Sequence, residues 1–233
     1  VPVVEYNPFE AVKTNVYGTQ NLIDACLSNN VKFVLGVGTD KAVSPFNTYG
    51  ATKLLMERLF ISANYYKGSH DIQFSCVRYG NVLGSRGSIV PTFIQQIQSG
   101  KNVTVTDPEM TRFNITMEQA LQLILRVIEN NHGGEVFIPK LESFKVGDMK
   151  DAIVDLLGNN ADTELIPVRP GEKYHEVLIN KNEIKNTYES NKDYIIVDPQ
   201  LQEENFETKQ QLQKAIRSEE HTSELQSRET ISY

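Results

Sequence analysis

Several features that mark specialised classes of protein are scarce or missing in this sequence of 233 residues. It has no tryptophan and only two cysteines, Cys26 and Cys76, which lie in apolar stretches. Such cysteines are typical of free thiols, so we expect a reducing compartment, the cytoplasm, rather than a disulfide framework. No apolar run is long enough to span a bilayer, and the first residues lack the charged and apolar regions of a signal peptide. We therefore expect no membrane association.

Positive charge is also in deficit. The chain has 23 Lys and Arg residues against 30 Asp and Glu residues, a formal net charge of −7. This balance argues against non-specific binding to nucleic acid. No histidine is spaced with a second ligand as a zinc site requires, so we expect no metal site. The four histidines are His70, His132, His175 and His221.

The sequence does contain an alternation of strand-like and helix-like segments. Short apolar runs predict strands at 32–38, 72–79, 103–106, 135–139, 164–168 and 194–197. Apolar residues at helical spacing predict helices at 9–30, 49–66, 91–100, 117–129 and 146–157. This alternation indicates an α/β fold with a parallel sheet, in which ligands bind at the carboxyl ends of the strands. The loops that follow the first two strands are therefore predicted to reach the same edge of the sheet.

The stretch GTDKAVSPFNTYGATK, from Gly38 to Lys53, combines polar side chains that no hydrophobic core requires. Tyr49 and Lys53 stand four residues apart, so they project from one face of the predicted helix. A neighbouring ammonium lowers the pKa of a phenol, and such a tyrosine can take a proton from an alcohol while hydride leaves the carbon. Alone, the pattern also fits two surface neighbours. Thr39, at the end of the preceding strand, favours the functional interpretation.

This stretch resembles the extended short-chain dehydrogenase/reductase superfamily and, more narrowly, the inverting UDP-N-acetylglucosamine 4,6-dehydratases of pseudaminic acid and polysaccharide biosynthesis. The resemblance covers roughly residues 1–200, through the motifs EYNPFEAVKTNVYGTQNLIDAC, RYGNVLGSRGSIVP, MTRFNIT, HGGEVFIPK and RPGEKYHEVLI. It implies a Rossmann-like parallel sheet, without its first βαβ units, and a smaller C-terminal substrate-binding subdomain. Residues 1–85 would belong to the NAD(P)-binding domain. Residues 86–200 would belong mainly to the sugar-nucleotide-binding subdomain, with some segments returning to the Rossmann sheet.

The resemblance also implies the catalytic roles. Such enzymes oxidise a sugar at C4, eliminate water across C5 and C6, and reduce C6. Tyr49, supported by Lys53 and Thr39, would remove the proton of O4. Asp40 would donate a proton to the leaving O6 hydroxyl, and Lys41 would be the base at C5. We expect burial beside the substrate to lower the pKa of Lys41. The alternative for Asp40 and Lys41 is a solvated ion pair in a loop.

Binding residues follow from the same resemblance. The cofactor would be NADP, with NAD possible, and the substrate would be a UDP-sugar. The residues implied to bind the cofactor are Asn15, Tyr49, Lys53, Tyr79, Gly80 and Val82. Those implied to bind the substrate are Asn81, Arg86, Arg112, Arg169 and Glu172. Asn15 equally fits helix capping or polar packing, the glycines of YGNVLGSRG fit a turn, and RPGE alone fits a surface turn.

Three functions remain open at this point. The leading one is dehydration with inversion at C5. The second is a retaining dehydratase or a dehydratase with epimerase activity. Some relatives of that second type resemble this family but carry Met in place of the tyrosine, so Tyr49 favours inversion. The third is a non-catalytic NAD(P)-binding member of the superfamily, which the presence of Thr39, Asp40, Lys41, Tyr49 and Lys53 disfavours.

The resemblance fails in one place, because the G-x-G-x-x-G turn of a dinucleotide-binding unit is missing. Roughly 80 further residues would precede Val1 to supply it, so we expect the chain to be an inactive fragment of an enzyme that is a homo-oligomer when full length. Residues 201–233 are polar and predict a weakly packed helix or disorder. Residues 217–233 resemble the translation of a sequencing adapter and are left out of the fold prediction.

Overall fold

The structure of the protein, a computed structural model, describes residues 2–158 and 160–199. The predictions for residues 201–233, the adapter-like 217–233 included, lie outside this part. Its α-helices are α1 (Pro2–Glu5), α2 (Pro8–Val12), α3 (Gly18–Ser28), α4 (Thr48–Tyr66), α5 (Ile89–Gln98), α6 (Met117–Asn130) and α7 (Val146–Leu156). Its strands are β1 (Phe33–Val37), β2 (Gln73–Val77), β3 (Asn81–Val82), β4 (Val103–Val105), β5 (Thr111–Ile115), β6 (Glu135–Pro139), β7 (Ser143–Lys145), β8 (Thr163–Leu165), β9 (Thr187–Glu189) and β10 (Asp193–Val197).

The main sheet has the strand order β1-β2-β6-β10-β9. The pairs β1–β2 and β2–β6 are parallel, and α4 forms the crossover from β1 to β2. The predicted α/β class and Rossmann-like sheet are confirmed. The sheet also has an antiparallel part, because β10 pairs antiparallel with both β6 and β9. The short connection between β9 and β10 permits only a hairpin, since a parallel pair needs a crossover of a dozen or more residues.

Helices cover both faces of this sheet. Successive side chains of a strand point to opposite faces, and β2 shows this directly. Phe74 and Cys76 pack in one cluster with Phe60 of α4, whereas Val77 packs in another with Leu123 of α6. All four of the side chains Phe74, Cys76, Val77 and Leu123 are completely buried. Strands that are buried on both faces carry the continuous apolar runs by which they were predicted.

The predicted helix at 9–30 is a continuous helical segment with an irregular centre. α2 leads into a π-helical turn, Lys13–Tyr17, which leads into α3. A π-helical turn inserts an extra residue and is frequent at functional sites. The side chain of Asn15, within this turn, donates a hydrogen bond to Thr52 Oγ1 of α4 at 3.0 Å. The turn therefore fixes the N-terminal segment against the helix that carries Tyr49 and Lys53.

A second region is built from short strands and two helices. β3 pairs with β5, β5 with β7, and β4 with β8. Its core joins Phe93 and Ile97 of α5 to Val146 and Ile153 of α7. Sequence periodicity did not reveal β3, β5, β7 or β9, which have two to five residues each. The domain boundary at 85/86 remains a prediction. Among the described residues, no helix is both long and apolar enough to cross a membrane.

Candidate active site

Two loops meet at the carboxyl edge of the sheet, as the sequence predicted. Gly38, which follows β1, donates from its backbone N–H to the carbonyl of Val77 at 2.7 Å. Two residues later, Asp40 donates to the carbonyl of Tyr79 at 3.0 Å. These backbone bonds extend the pairing of β1 and β2 beyond the strands themselves. They place the loop that carries Asp40 and Lys41 directly beside the YGNV segment, Tyr79 to Val82.

Thr39, Asp40 and Lys41 form one hydrogen-bonded unit at this edge. Thr39 caps a 3₁₀ turn, Asp40–Ala42, by accepting from the backbone N–H of Lys41. The Thr39 hydroxyl donates to Asp40 Oδ1 at 2.9 Å, and Lys41 Nζ donates to the same oxygen at 3.0 Å. Asp40 is fully buried, and its Oδ2 has no hydrogen-bond partner among the described residues. The alternative of a solvated ion pair is therefore wrong, because the carboxylate is out of contact with solvent.

Lys41 lies between two carboxylates. Its Nζ is 3.0 Å from Asp40 Oδ1 and 3.7 Å from Oε1 of Glu176, and it donates to Asn81 Oδ1 at 3.3 Å. Burial alone would lower the pKa of Lys41, but the charges of Asp40 and Glu176 outweigh burial and raise that pKa above its ordinary value. The expected lowering of the pKa of Lys41 is thus wrong. The two carboxylates therefore favour the ammonium form of Lys41.

Tyr49 and Lys53 project from the first turns of α4, but Lys53 does not lower the pKa of Tyr49. Burial raises the pKa of Tyr49, and the positive charge that opposes this comes from Lys41. The ammonium of Lys53 donates to the carbonyl of Val37 at 2.9 Å and contacts Met56 Sδ at 3.1 Å. Burial lowers the pKa of Lys53. The expected lowering of the pKa of Tyr49 by Lys53 is therefore wrong.

The start of α4 explains why Tyr49 lies where it does. Asn47 caps the helix, because its Oδ1 accepts from the N–H of Gly50 at 2.6 Å. Its side-chain amide donates to the carbonyl of Gly171 at 2.7 Å, in the RPGE segment. A Cβ at Gly50 would collide with the carbonyl of Lys41. Glycine at this position lets the helix approach the turn that carries Asp40 and Lys41.

The YGNV segment forms a wall of the site. The carbonyl of Tyr79 is held by Asp40, and Asn81 and Val82 form β3. A Cβ at Gly80 would collide with the carbonyl of Phe113, so close approach to β5 requires this glycine. Arg86 lies exposed in the following loop. Its predicted contact with substrate, like the predicted cofactor contacts of the wall, remains a prediction.

The residues predicted to bind the nucleotide converge on one cleft of about 230 Å³. Arg112, which is buried, donates to Glu172 Oε1 at 3.1 Å and to the carbonyl of Tyr174 at 3.1 Å. Glu172 Oε2 in turn accepts from the N–H of Arg169 at 3.4 Å. The lining of the cleft includes these three residues together with Lys41, Asn81 and Glu176. Lys41 and the two arginines, Arg112 and Arg169, therefore share one cavity.

Two ionisable residues of this site were not predicted from the sequence. Glu176 and Lys173 lie in the RPGEKYHEVLI motif, and their side chains are 4% and 12% exposed. Lys173 donates to the carbonyl of Val43, and its Nζ lies 4.0 Å from Glu176 Oε2. A signal was present, because Glu176 directly precedes the apolar residues Val177, Leu178 and Ile179. A charged residue next to an apolar run in the sequence is a candidate for a buried functional group.

Arg78, at the end of β2, was also missed. It is completely buried and donates to the carboxylates of Glu57 and Glu183 and to the carbonyl of Leu178. Glu57 lies on α4, two turns after Tyr49. This arginine cluster (Glu57, Arg78 and Glu183) therefore joins α4 to the end of β2 and to the segment that follows Glu176.

Comparison with known proteins agrees with this geometry. The family described as "Polysaccharide biosynthesis protein" matches residues 1–198. The chain belongs to this family. Its resemblance to nucleotide-sugar dehydratases of the short-chain dehydrogenase/reductase superfamily is thereby confirmed.

Curated relatives carry functional descriptions. The inverting UDP-N-acetylglucosamine 4,6-dehydratase of Campylobacter jejuni (serotype O:2) is 46% identical over 197 residues, which are 84% of this chain and 58% of that relative. A UDP-glucose 4-epimerase of Rickettsia rickettsii is 38% identical over 184 residues, which are 79% of this chain and 54% of the relative. The chain thus spans little more than half the length of these relatives.

Solved structures of other proteins are also similar to this chain. The X-ray structure of Pen from Bacillus thuringiensis has a TM-score of 0.82 at 43% identity, covering 85% of this chain and 63% of that chain. The UDP-glucose 4-epimerase of Thermus thermophilus, solved in complex with NAD, has a TM-score of 0.67 at 21% identity, covering 76% and 65%. The latter likeness concerns the fold alone.

Proposed function

We propose that the protein is an NADP-dependent UDP-N-acetylglucosamine 4,6-dehydratase that inverts C5, acting in the cytoplasm as a homo-oligomer in the synthesis of surface sugars such as pseudaminic acid. The observation that carries this proposal is the buried Asp40–Lys41 pair beside Tyr49. Oxidation alone needs a tyrosine and a lysine, but elimination of water needs an additional acid and base. The 46% identity to an inverting dehydratase supports the same conclusion.

The chain's residues divide the reaction among them. Tyr49 accepts the proton of O4 as the alcohol becomes a ketone. That ketone acidifies the C5 proton, which Lys41 removes as a neutral amine, while Asp40 gives a proton to the C6 hydroxyl, which leaves as water. Return of hydride to C6 and of a proton to the opposite face of C5 completes the inversion. Arg112 and Arg169 hold the diphosphate, because guanidinium groups form strong bidentate bonds with phosphate oxygens.

We assign the contact with the nicotinamide ribose to side chains of α4 that lie near the end of β1. The ammonium of Lys53 donates to the carbonyl of Val37 and forms no salt bridge among the described residues. Its remaining N–H donors are therefore available for ribose hydroxyls. We assign this contact to Lys53 and Tyr49, and the facing wall to Asn15 and the backbone of Tyr79 to Val82, Gly80 included. A nicotinamide cofactor bound there would supply the hydride chemistry, oxidation at C4 and reduction at C6. The G-x-G-x-x-G turn is missing from the 233 residues, so we propose that this chain alone is inactive.

An epimerase is the second candidate, because epimerases occur among the relatives at 38% identity. Epimerisation at C4 needs the oxidising pair but no acid at O6 and no base at C5. Lys41, which lines the cleft, and the buried Asp40 that accepts its hydrogen bond would have no task in that reaction. The dehydratase is therefore the function that uses the whole site.

The test is an NMR assay of the full-length gene product with UDP-N-acetylglucosamine and NADP in deuterated water. We expect a 6-deoxy-4-keto product with inverted C5 that carries deuterium from solvent at C5. A product that keeps its original configuration at C5 contradicts inversion, and epimerised UDP-sugar without loss of water contradicts the dehydratase itself. The 233-residue chain assayed alone is the control, and we expect no turnover from it.

A further inference from the structure

Glu176 is a buried carboxylate inside the candidate site to which no role has been assigned. It is 4% exposed, lines the same cleft as Lys41 and lies 3.7 Å from Lys41 Nζ through its Oε1. Its other oxygen, Oε2, has no hydrogen-bond partner among the described residues and lies 4.0 Å from Lys173 Nζ. A buried carboxylate with an unsatisfied oxygen costs stability, so its presence calls for a functional reason.

The groups that face Glu176 come from three parts of the fold. Asp40 and Lys41 belong to the turn after β1, Arg112 belongs to β5, and Lys173 precedes Glu176 by three residues. Burial raises the pKa of Glu176, and the like charge of Asp40 raises it further, against the opposing effects of Lys41, Lys173 and Arg112. Glu176 therefore keeps its proton to a higher pH than an ordinary glutamate.

The position of Glu176 matters because its charge affects which of Asp40 and Lys41 carries the proton. As an ion pair, Asp40 has no proton to give to O6, and Lys41 has no lone pair to take the C5 proton. Transfer of one proton from Lys41 Nζ to Asp40 Oδ1, along the existing 3.0 Å hydrogen bond, creates both the acid and the base without changing the net charge. An ionised Glu176 opposes the loss of a proton from Lys41, and a protonated Glu176 does not.

We propose that Glu176 is a positioning residue that holds the Lys41 amine at the cleft and, through its own charge, sets when Lys41 can accept a proton. This inference deepens the proposed function and rests on it for the role of Lys41. The electrostatic coupling of Glu176 to Lys41 does not depend on the reaction, however. The two ideas therefore fail separately.

The first measurement needs no activity. Lysines of the full-length gene product are labelled with ¹³C at Cε, and the Lys41 signal, assigned by its loss in Lys41→Arg, is titrated. In Glu176→Gln, the titration midpoint of Lys41 is expected to fall by about one pH unit or more, because a nearby negative charge is lost. Glu176→Asp keeps the charge and is expected to keep most of the wild-type midpoint. An unchanged midpoint in Glu176→Gln overturns the proposal.

The matched control is Glu135→Gln. Glu135 is equally buried, at 2% exposure, and burial also raises its pKa. It lies at the start of β6, however, whereas Lys41 lies at the carboxyl edge of the parallel strands. Its substitution is expected to leave the Lys41 midpoint in place. A fall in this control equal to that in Glu176→Gln also counts against a specific role of Glu176.

The second measurement is the pH dependence of kcat. The limb of the profile that Lys41 governs is expected to move to lower pH in Glu176→Gln, by the same amount as the NMR midpoint, and to return in Glu176→Asp. A merely structural role would lower kcat at every pH without moving that limb, and that result rejects the proposal. Absence of dehydratase activity in the wild-type protein rejects the proposed function and leaves the NMR test intact.

If Glu176→Gln does not fold, the wild-type protein still decides the matter. Its Lys41 Cε signal is expected to show a second, smaller inflection at the pH where Glu176 titrates, followed through ¹³C-labelled glutamate carboxyls. Coupling of two charges 3.7 Å apart requires this inflection. A Lys41 signal that is flat through the Glu176 titration overturns the inference.

Discussion

Two buried charge clusters lie side by side in this protein and are built in opposite ways. In the arginine cluster (Glu57, Arg78 and Glu183), the guanidinium makes five hydrogen bonds, to both carboxylates and to the carbonyl of Leu178. A guanidinium has five N–H donors, so all of them are used. In the lysine cluster (Asp40, Lys41, Lys173 and Glu176), one oxygen of each carboxylate has no hydrogen-bond partner among the described residues.

This difference in hydrogen bonding indicates different roles for the two clusters, one structural and one chemical. A fully satisfied buried network is rigid, and each of its protons is held in place. In the lysine cluster, one oxygen of each carboxylate is free to accept a hydrogen bond from a substrate hydroxyl. Its ion pairs at 3.7 and 4.0 Å are too long to fix the position of a proton. Active sites are where such unsatisfied groups are expected. We therefore interpret the arginine cluster as scaffold and the lysine cluster as reaction centre, and four predictions test that division.

The largest expected effect is on activity, in Asp40→Asn of the full-length gene product. The amide keeps the oxygen that accepts from Thr39 and Lys41 but cannot give a proton to O6. We expect kcat for dehydration to fall about 10²–10⁴-fold. The free energy of unfolding, from urea denaturation, is expected to fall by clearly less than the about 3–5 kcal/mol of a broken buried pair, because Lys41 keeps Glu176 as a counter-charge. Glu135→Gln is the control, with near wild-type turnover. A large loss of stability in Asp40→Asn would make the lysine cluster a structural element.

The next effect is on stability, in Arg78→Met. This change leaves the Glu57 and Glu183 carboxylates buried without a counter-charge, and removal of one partner from a buried ion pair costs about 3–5 kcal/mol. Urea denaturation followed by circular dichroism measures the loss. The control is Arg126→Met, because Arg126 makes a similar bidentate pair with Asp193 but is 27% exposed.

We expect Arg126→Met to cost clearly less than Arg78→Met. Equal costs would show that burial does not distinguish the arginine cluster. Adding Glu57→Gln and Glu183→Gln to Arg78→Met is expected to recover part of the loss, since it removes the unpaired charges.

A third, smaller effect is the dependence of stability on pH, which has opposite signs in the two clusters. Burial would raise the pKa of Glu183, but the hydrogen bond and charge of Arg78 outweigh burial and lower it below 4.5. Its contribution to stability is present above that ordinary value and is lost as pH falls through the lowered pKa. Glu176 has a pKa raised above 4.5. Its folded state binds the proton more tightly, so stability is lost as pH rises from that value through the raised pKa.

The measurement is the free energy of unfolding of three proteins, the wild type and two variants, between about pH 3 and about pH 8. Glu183→Gln is expected to flatten the acid side of the curve, and Glu176→Gln the side above pH 4.5. Effects of the same sign in both variants would contradict the assignment of one carboxylate to a satisfied pair and the other to an unsatisfied one.

The sequence predicted most of the main sheet, because β1, β2, β6 and β10 are short apolar runs, and β2, β6 and β10 are mostly buried. The family resemblance implied that Asp40, Lys41, Tyr49, Arg112 and Glu172 serve one site, and of these residues Lys41, Arg112 and Glu172 line one cleft. The antiparallel pairing of β10 could not be derived, because an apolar run of that length fits a strand of either direction. The strands β3, β5 and β7 were missed because two to five residues carry too little periodicity.

The charge states were the least predictable part. The pKa of Lys41 was expected to fall through burial, but it rises because Asp40 and Glu176 both lie within 4 Å. Glu176 is 135 residues away in sequence, so no local pattern joins it to Lys41. The same holds for Arg78 and Glu183, which are 105 residues apart and hydrogen-bonded in the fold. Long-range partners of this kind come only from the tertiary structure.

The smallest effect is expected for an exposed ion pair, Lys32 and Asp71, with which both buried clusters can be compared. Lys32 and Asp71 form an ion pair of 2.8 Å, shorter than either pair of Glu176, but their side chains are 72% and 90% exposed. Solvent and salt screen such a pair, so Lys32→Ala is expected to leave the free energy of unfolding within measurement error, at low and at high salt. Urea denaturation at two salt concentrations measures this. A loss that approached that of Arg126→Met would mean that short distance, rather than burial, decides what an ion pair contributes here. The contrast between the arginine and lysine clusters would then have to be restated in terms of geometry alone.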